Sequence, residues 1–152
     1  MKRLMLIFSV LCFFASCSKD DLTPYDHPYL YIATSDGFSE VTINSEAEVI
    51  NTYNIYLSSK LQTKNIVVNY EIVTGNGLQE GVDYKLIKTN NSITFLPGIY
   101  DMPIRIRWLS HKLDETKNNT LTIRLLSNDQ NITMGVPGPD SLRKEMVLKK
   151  EN

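Results

Sequence analysis

The sequence predicts an all-β protein built as an antiparallel β-sandwich, and three observations predict it. Apolar and polar residues alternate in short runs along most of the chain. Turn-forming clusters rich in Gly, Pro, Asn and Asp separate those runs, and no stretch carries an extended 3.6-residue period. Alternation puts one face of a strand on a core and the other in water, and many short strands punctuated by turns describe a sandwich.

The elements follow in order. Tyr29 to Ala33 is a short apolar strand, and Phe38, Val41 and Ile43 mark a second, edge-like segment. Ser45 to Val49 is long enough for a single helical turn. Tyr53, Ile55 and Leu57 fall on one face of the next strand, which turns Tyr56 outwards. Ile66, Val68, Tyr70 and Ile72 define the longest run; Ile93 and Phe95 define a shorter one. Ile104, Ile106 and Trp108 share a parity, as do Leu121, Ile123 and Leu125, and Met146 with Leu148 closes the series. Ile106, Trp108, Ile123 and Leu125 are therefore expected to be buried together. The intervening signals are Ser35-Asp36-Gly37, Gly75-Asn76-Gly77, Pro97-Gly98, Lys117-Asn118-Asn119 and the run from Gly135 to Pro139.

Ahead of the strands stands a different kind of segment. Lys2 and Arg3 precede an uninterrupted apolar stretch, Leu4 to Phe14, followed by Ala15, Ser16 and Cys17. The stretch is shorter than the roughly 20 residues a membrane-spanning helix needs. A basic start, a short apolar middle and a small-residue exit read as a secretory signal peptide over residues 1–16. Phe14-Ala15-Ser16-Cys17 resembles a bacterial lipobox, with Phe in place of the usual Leu, which implies a lipid on the Cys17 thiol. Each buried methylene of such a chain contributes about 0.8 kcal/mol to anchoring. Ser18-Lys19-Asp20-Asp21 resembles the short acidic tag of surface-exported lipoproteins of Bacteroidetes-type bacteria, so Lys19, Asp20 and Asp21 are the candidate export tag. Residues 17–28, polar and carrying Pro24 and Pro28, read as a tether, and residues 29–152 as the sandwich domain. The expected location is the outer membrane, lipid-anchored and surface-exposed.

Composition narrows the function classes. The two cysteines are Cys12, inside the signal, and Cys17. The remaining domain therefore has no thiol for a disulfide, a cysteine-based metal site or a nucleophile. The formal net charge is −1, without the basic surplus that marks a nucleic-acid partner. No phosphate-binding Gly-rich loop, metalloprotease His pair or serine-nucleophile motif occurs. His27 lies in the tether and His111 at a strand end, neither in the context of a catalytic triad. No enzymatic activity and no cofactor are expected.

From Ile66 to Leu126 the order of segments is distinctive. "IVVNYEIVTGNGLQ" leads to Gly81-Val82-Asp83-Tyr84, then "SITFLPG", "IRIRWL", the acidic Leu113-Asp114-Glu115 and "NTLTIRLLS". This resembles the Calx-beta type of immunoglobulin-like sandwich, with its Gly-x-Asp-Tyr step, Phe-x-Pro-Gly strand end and acidic loop. The chain as a whole is similar to small Bacteroidetes-type surface lipoproteins, often associated with polysaccharide-utilisation systems. The first resemblance implies an immunoglobulin-like fold; the second implies glycan capture or contact with another envelope protein.

Candidate sites follow. Gly81 suits a turn of unusual φ, and Asp83 can bond nearby backbone N–H groups. Some Calx-beta domains bind calcium through clustered carboxylates, and Asp83, Asp114 and Glu115 stand at the matching positions. Calcium takes six to eight oxygens, and Lys112 and Lys117 bracket the acidic pair, so these are weak candidates and no metal is expected. For a glycan, exposed aromatics matter. Trp108 shares its parity with Ile104 and Ile106 and belongs to the core. Tyr56, Tyr100, Tyr25, Tyr29 and Tyr31 are the candidate glycan-contact residues.

Overall fold

The computed structural model describes residues 27–152 apart from Thr89. The apolar segment 1–16, Cys17, the Lys19-Asp20-Asp21 tag and Tyr25 lie outside the described residues. The strands are β1 (Tyr29–Ala33), β2 (Glu40–Asn44), β3 (Val49–Ser58), β4 (Ile66–Thr74), β5 (Tyr84–Leu86), β6 (Ser92–Phe95), β7 (Asp101–Trp108), β8 (Thr120–Asn128), β9 (Thr133–Met134) and β10 (Glu145–Glu151). They form two five-stranded sheets of order β5-β7-β3-β1-β9 and β2-β10-β8-β4-β6, packed face to face as a β-sandwich.

Pairing is antiparallel except at two edges, where β1 runs parallel to β9 and β2 parallel to β10. The second exception has a local cause. The chain leaves β1 at Ala33 and turns through Ser35-Asp36-Gly37, with Gly37 at φ 85° and its N–H donating to Thr34 O at 3.0 Å. It then crosses to the other sheet, so β2 joins β10 instead of continuing beside β3. Left-handed φ is available to glycine without a Cβ penalty, which is why this corner carries one. Ser45 to Val49 makes no helical turn; Ala47 N–H closes a tight turn on Asn44 O at 3.1 Å, and β3 begins at Val49.

The core lies between the sheets. Tyr53, Ile55 and Leu57 of β3, Ile104, Ile106 and Trp108 of β7, and Leu121, Ile123 and Leu125 of β8 are all buried, with Met146 and Leu148 of β10. Fully burying an aliphatic or aromatic side chain contributes about 1.5–3 kcal/mol, so these alternating positions carry most of the stabilisation. Trp108, fully buried, donates its indole N–H to the Tyr53 hydroxyl at 3.1 Å. The bond satisfies the polar handles of two large rings that would otherwise be costly inside.

Candidate functional site

Because directly opposed residues share a face, the register of the first sheet defines its outer surface rung by rung. Lys85 lies opposite Arg107, which lies opposite Ile50. Arg105 is opposite Thr52, Pro103 opposite Asn54, and Asp101 opposite Tyr56. Tyr56 in turn faces Tyr31, and Tyr29 faces Ser58 and Thr133. The inward positions between these, such as Tyr53, Ile55, Ile104 and Ile106, fill the core, so the outward side chains stand on a rigid support.

One end of this face is aromatic. Tyr31 and Tyr56 stack with ring centroids 5.1 Å apart and 22° between planes, and Tyr29 lies 5.8 Å from Tyr31. All three are half-buried, leaving part of each ring open. Asn54 donates its side-chain amide to the Tyr56 hydroxyl at 3.2 Å, which holds that ring. Arg143 sits with its guanidinium carbon 5.8 Å from the centre of the Tyr31 ring. Its backbone carbonyl accepts from Ile32 N–H at 2.9 Å, so β1 positions it. Burial pushes the Tyr31 phenol above its ordinary pKa, Tyr29 and Tyr56 add to the shift, and Arg143 opposes it. His27 Nε2 lies 2.6 Å from Thr133 Oγ1 and fixes the chain where it enters this end.

The other end is cationic. Lys85, Arg105 and Arg107 are exposed and form no ion pair among the described residues. Elsewhere the contrast is clear: Arg124 bonds both Glu145 and Glu71, and Lys117 pairs with Asp114. Asp101, at the aromatic end, is the carboxylate on the described rungs.

A second cluster lies inside the sandwich. Asp83 and Lys150 are both almost completely buried, with Nζ 3.3 Å from Oδ1. Lys150 also donates to the backbone oxygens of Leu109, at 2.7 Å, and Asp83, at 3.3 Å. Asp83 Oδ2 accepts from Gln79 N–H at 2.8 Å, and Oδ1 lies 2.9 Å from His111 Nδ1. Both charges are thus paired and hydrogen-bonded, the condition under which buried charge is tolerated. The residues are internal partners of one another, and both side chains are withdrawn from solvent.

The sequence candidates divide accordingly. Tyr29 and Tyr31, and separately Tyr56, were candidate contacts; the β1–β3 register brings the three together. Tyr100 is not part of the group: it packs partly buried against the core, and its carbonyl accepts from Leu57 N–H at 2.8 Å. Half-buried like the other three, it makes no ring contact with them among the described residues. Trp108 is a core residue, as its parity implied. The calcium candidates do not converge. Asp83 is held by Lys150 and His111, Asp114 accepts from Thr116 and pairs with Lys117, and Glu115 accepts from Asn152. No group of three acidic, His or Cys side chains arranged to hold a metal occurs among the described residues.

Gly81 adopts φ 86° and Asp83 bonds a backbone N–H, as the local sequence suggested. Tyr84 is buried with its hydroxyl 2.7 Å from Thr74 Oγ1. Two features were missed. The cationic rungs were written in "IRIRW", where two arginines separated by one residue must share a face, but a net charge of −1 hides such segregation. Lys150 reads as a solvent residue in a Lys-rich tail; its parity with Met146 and Leu148 was the available signal.

No protein-family model matches the chain, and no curated protein is significantly similar to it.

Proposed function

We infer that the chain is a lipid-anchored, surface-displayed glycan-capture module of a bacterial outer membrane and that it acts by binding, without catalysis. The observation carrying this reading is the Tyr29-Tyr31-Tyr56 group, open rings held at fixed spacing on a rigid sheet face. Amphipathic rings present an apolar face to the C–H surface of a sugar and a hydroxyl at the edge for its polar groups. Preorganisation by the sheet and by the Asn54 bond lowers the ordering cost of binding. The immunoglobulin-like character of the sandwich belongs to the same reading. It is supported by the way β1 and β2 divide between the sheets, β2 running parallel to β10.

The anchoring half rests on the lipobox-like Phe14-Ala15-Ser16-Cys17. Cys17→Ala should abolish acyl labelling and release the protein from the membrane fraction. Alanine at Lys19, Asp20 and Asp21 should reduce protease accessibility on intact cells. For the binding half, a glycan array probed with the full chain should give hits that Tyr31→Ala and Tyr56→Ala both weaken. Hits indifferent to both variants, or none, would reject the aromatic face.

A second reading, an adaptor for another envelope protein, draws on Phe38 and Leu142, each 64% exposed. Exposed apolar side chains of this size gain by burial against an apolar protein surface. Capture of an envelope partner that is lost on Phe38→Ser but unaffected by Tyr31→Ala would favour it.

A further inference from the structure

The aromatic group occupies only one end of its sheet face, and the remainder bears on what kind of glycan would fit. The rungs run from Lys85–Arg107–Ile50 through Arg105–Thr52 and Pro103–Asn54 to Tyr56–Tyr31. From the position of Ile50 to that of Tyr56 is six residues along β3, on the order of 20 Å at the usual strand rise. A ligand touching both ends must be a chain of several units and cannot be a single sugar.

The path carries one carboxylate, Asp101 on the Tyr56 rung, and it pairs with none of the cations at the other end. Lys85, Arg105 and Arg107 stand together at the β5–β7 end without ion pairs among the described residues, and Arg143 brings a fourth cation to the tyrosines. Unpaired like charges side by side repel one another, a cost that an anionic ligand removes. Guanidinium groups match planar carboxylates through two parallel N–H···O bonds, a geometry an ammonium cannot offer. Arg105 and Arg107, two residues apart on one strand, repeat that fork at roughly 6.7 Å. A polymer bearing many carboxylates offers each guanidinium a partner; a neutral glycan would leave both forks unused.

We propose that this face binds a carboxylate-bearing polysaccharide of the uronic-acid type, with Lys85, Arg105 and Arg107 pairing successive carboxylates and Tyr31 and Tyr56 stacking a sugar ring under Arg143. The proposal rests on the glycan-capture reading and specifies its ligand. The face is local and stands against a chain whose net charge is −1, so its attraction is short-ranged. Charges separated by more than about 8 Å are largely screened at physiological salt. Selectivity therefore comes from contact rather than from a long-range field.

The test uses the full chain and two forms of one backbone: polygalacturonate, and the same polymer with its carboxylates fully methyl-esterified. Polygalacturonate should bind and its esterified form should bind much more weakly, with affinity falling as salt is raised. The combined variant Lys85→Ala, Arg105→Ala, Arg107→Ala should weaken polygalacturonate binding by about tenfold or more, since charge-assisted contacts are removed. Because these side chains are exposed, the melting temperature should hold, which keeps the result interpretable. Equal binding of both polymers, or binding reduced by Tyr31→Ala but not by the triple variant, would overturn the proposal and leave the glycan reading standing. Binding of neither polymer, together with an empty glycan array, would overturn both. Equal affinity for inorganic polyphosphate would also overturn it, by showing attraction to any polyanion.

Discussion

Lys150 and Asp83, 67 residues apart in the chain, meet inside the sandwich with Nζ 3.3 Å from Oδ1. The pair joins the last strand to the turn preceding β5, and His111 and Gln79 complete the bonding of the carboxylate. Removing Lys150 leaves the buried Asp83 carboxylate with only the half-exposed His111 and the Gln79 N–H as partners. Lys150→Met should cost about 3–5 kcal/mol in chemical denaturation, the usual consequence of breaking a buried pair from one side. Adding Asp83→Asn to that variant should recover part of the loss, because no net charge is then buried. A double variant no more stable than Lys150→Met would show that the pair's hydrogen bonds matter and its charge does not.

Trp108 is the largest fully buried side chain. Trp108→Ala should destabilise the domain by about 3–5 kcal/mol, as truncation of a core aromatic commonly does. Tyr53→Phe should cost less, since it removes one acceptor and leaves the ring volume. The two effects should be non-additive in a double-mutant cycle, because the indole N–H and the hydroxyl share one bond.

Alkaline pH should act through the same tyrosine. Burial holds the Tyr53 phenol above its ordinary pKa; the bonds to Trp108 and Asn51 pull it part of the way back. Burial also raises Tyr70. A phenol whose folded pKa exceeds its unfolded value is protonated more tightly in the native state. Its contribution is fully present below the unfolded value of about 10 and is lost as pH rises from there through the folded pKa. Stability should therefore be level towards pH 10 and decline above it, and tyrosinate absorbance should appear in part only with unfolding. Complete ionisation of the tyrosines at their ordinary pKa, with the fold intact, would contradict this.

Two glycines of similar backbone should respond differently to alanine. Gly98 has φ 82° and open space around its position; Gly135 has φ 88° and Ser141 O only 2.4 Å from where a Cβ would stand. Gly98→Ala should cost about 1–2 kcal/mol, the strain of the left-handed conformation alone. Gly135→Ala should cost more, because backbone must move and the bond from Gly135 N–H to Leu30 O is disturbed. Equal melting temperatures for the two would refute the close approach.

Much of this architecture was legible in the sequence because period-two burial is a local property. Tyr53, Ile55 and Leu57, and Ile104, Ile106 and Trp108, could be placed on a buried face without knowing what they would meet. The turn glycines were readable for the same reason. Relations between distant segments were less so. Tyr29 and Tyr31 could be seen near the tether, but only the β1–β3 register brings Tyr31 against Tyr56. Lys85 and Arg107 meet only through β5–β7 pairing. Asp83 looked like a turn residue and is one; its ammonium partner comes from β10, which no local pattern announces. Tyr100 is less legible, because a residue after a turn has no alternation to fix its side.

The parallel pairing of β2 with β10 sets the order in which the molecule can be made. Glu40–Asn44 leaves the ribosome early, yet its ladder partner, Val147–Glu151, is the last strand described. Until that strand arrives, β2 has no neighbour, one edge of β8 is open and Asp83 lacks its ammonium. Contacts of such long sequence separation require loop closure before they return any stabilisation. Closure of the second sheet therefore depends on β10, the strand with which both β2 and β8 pair.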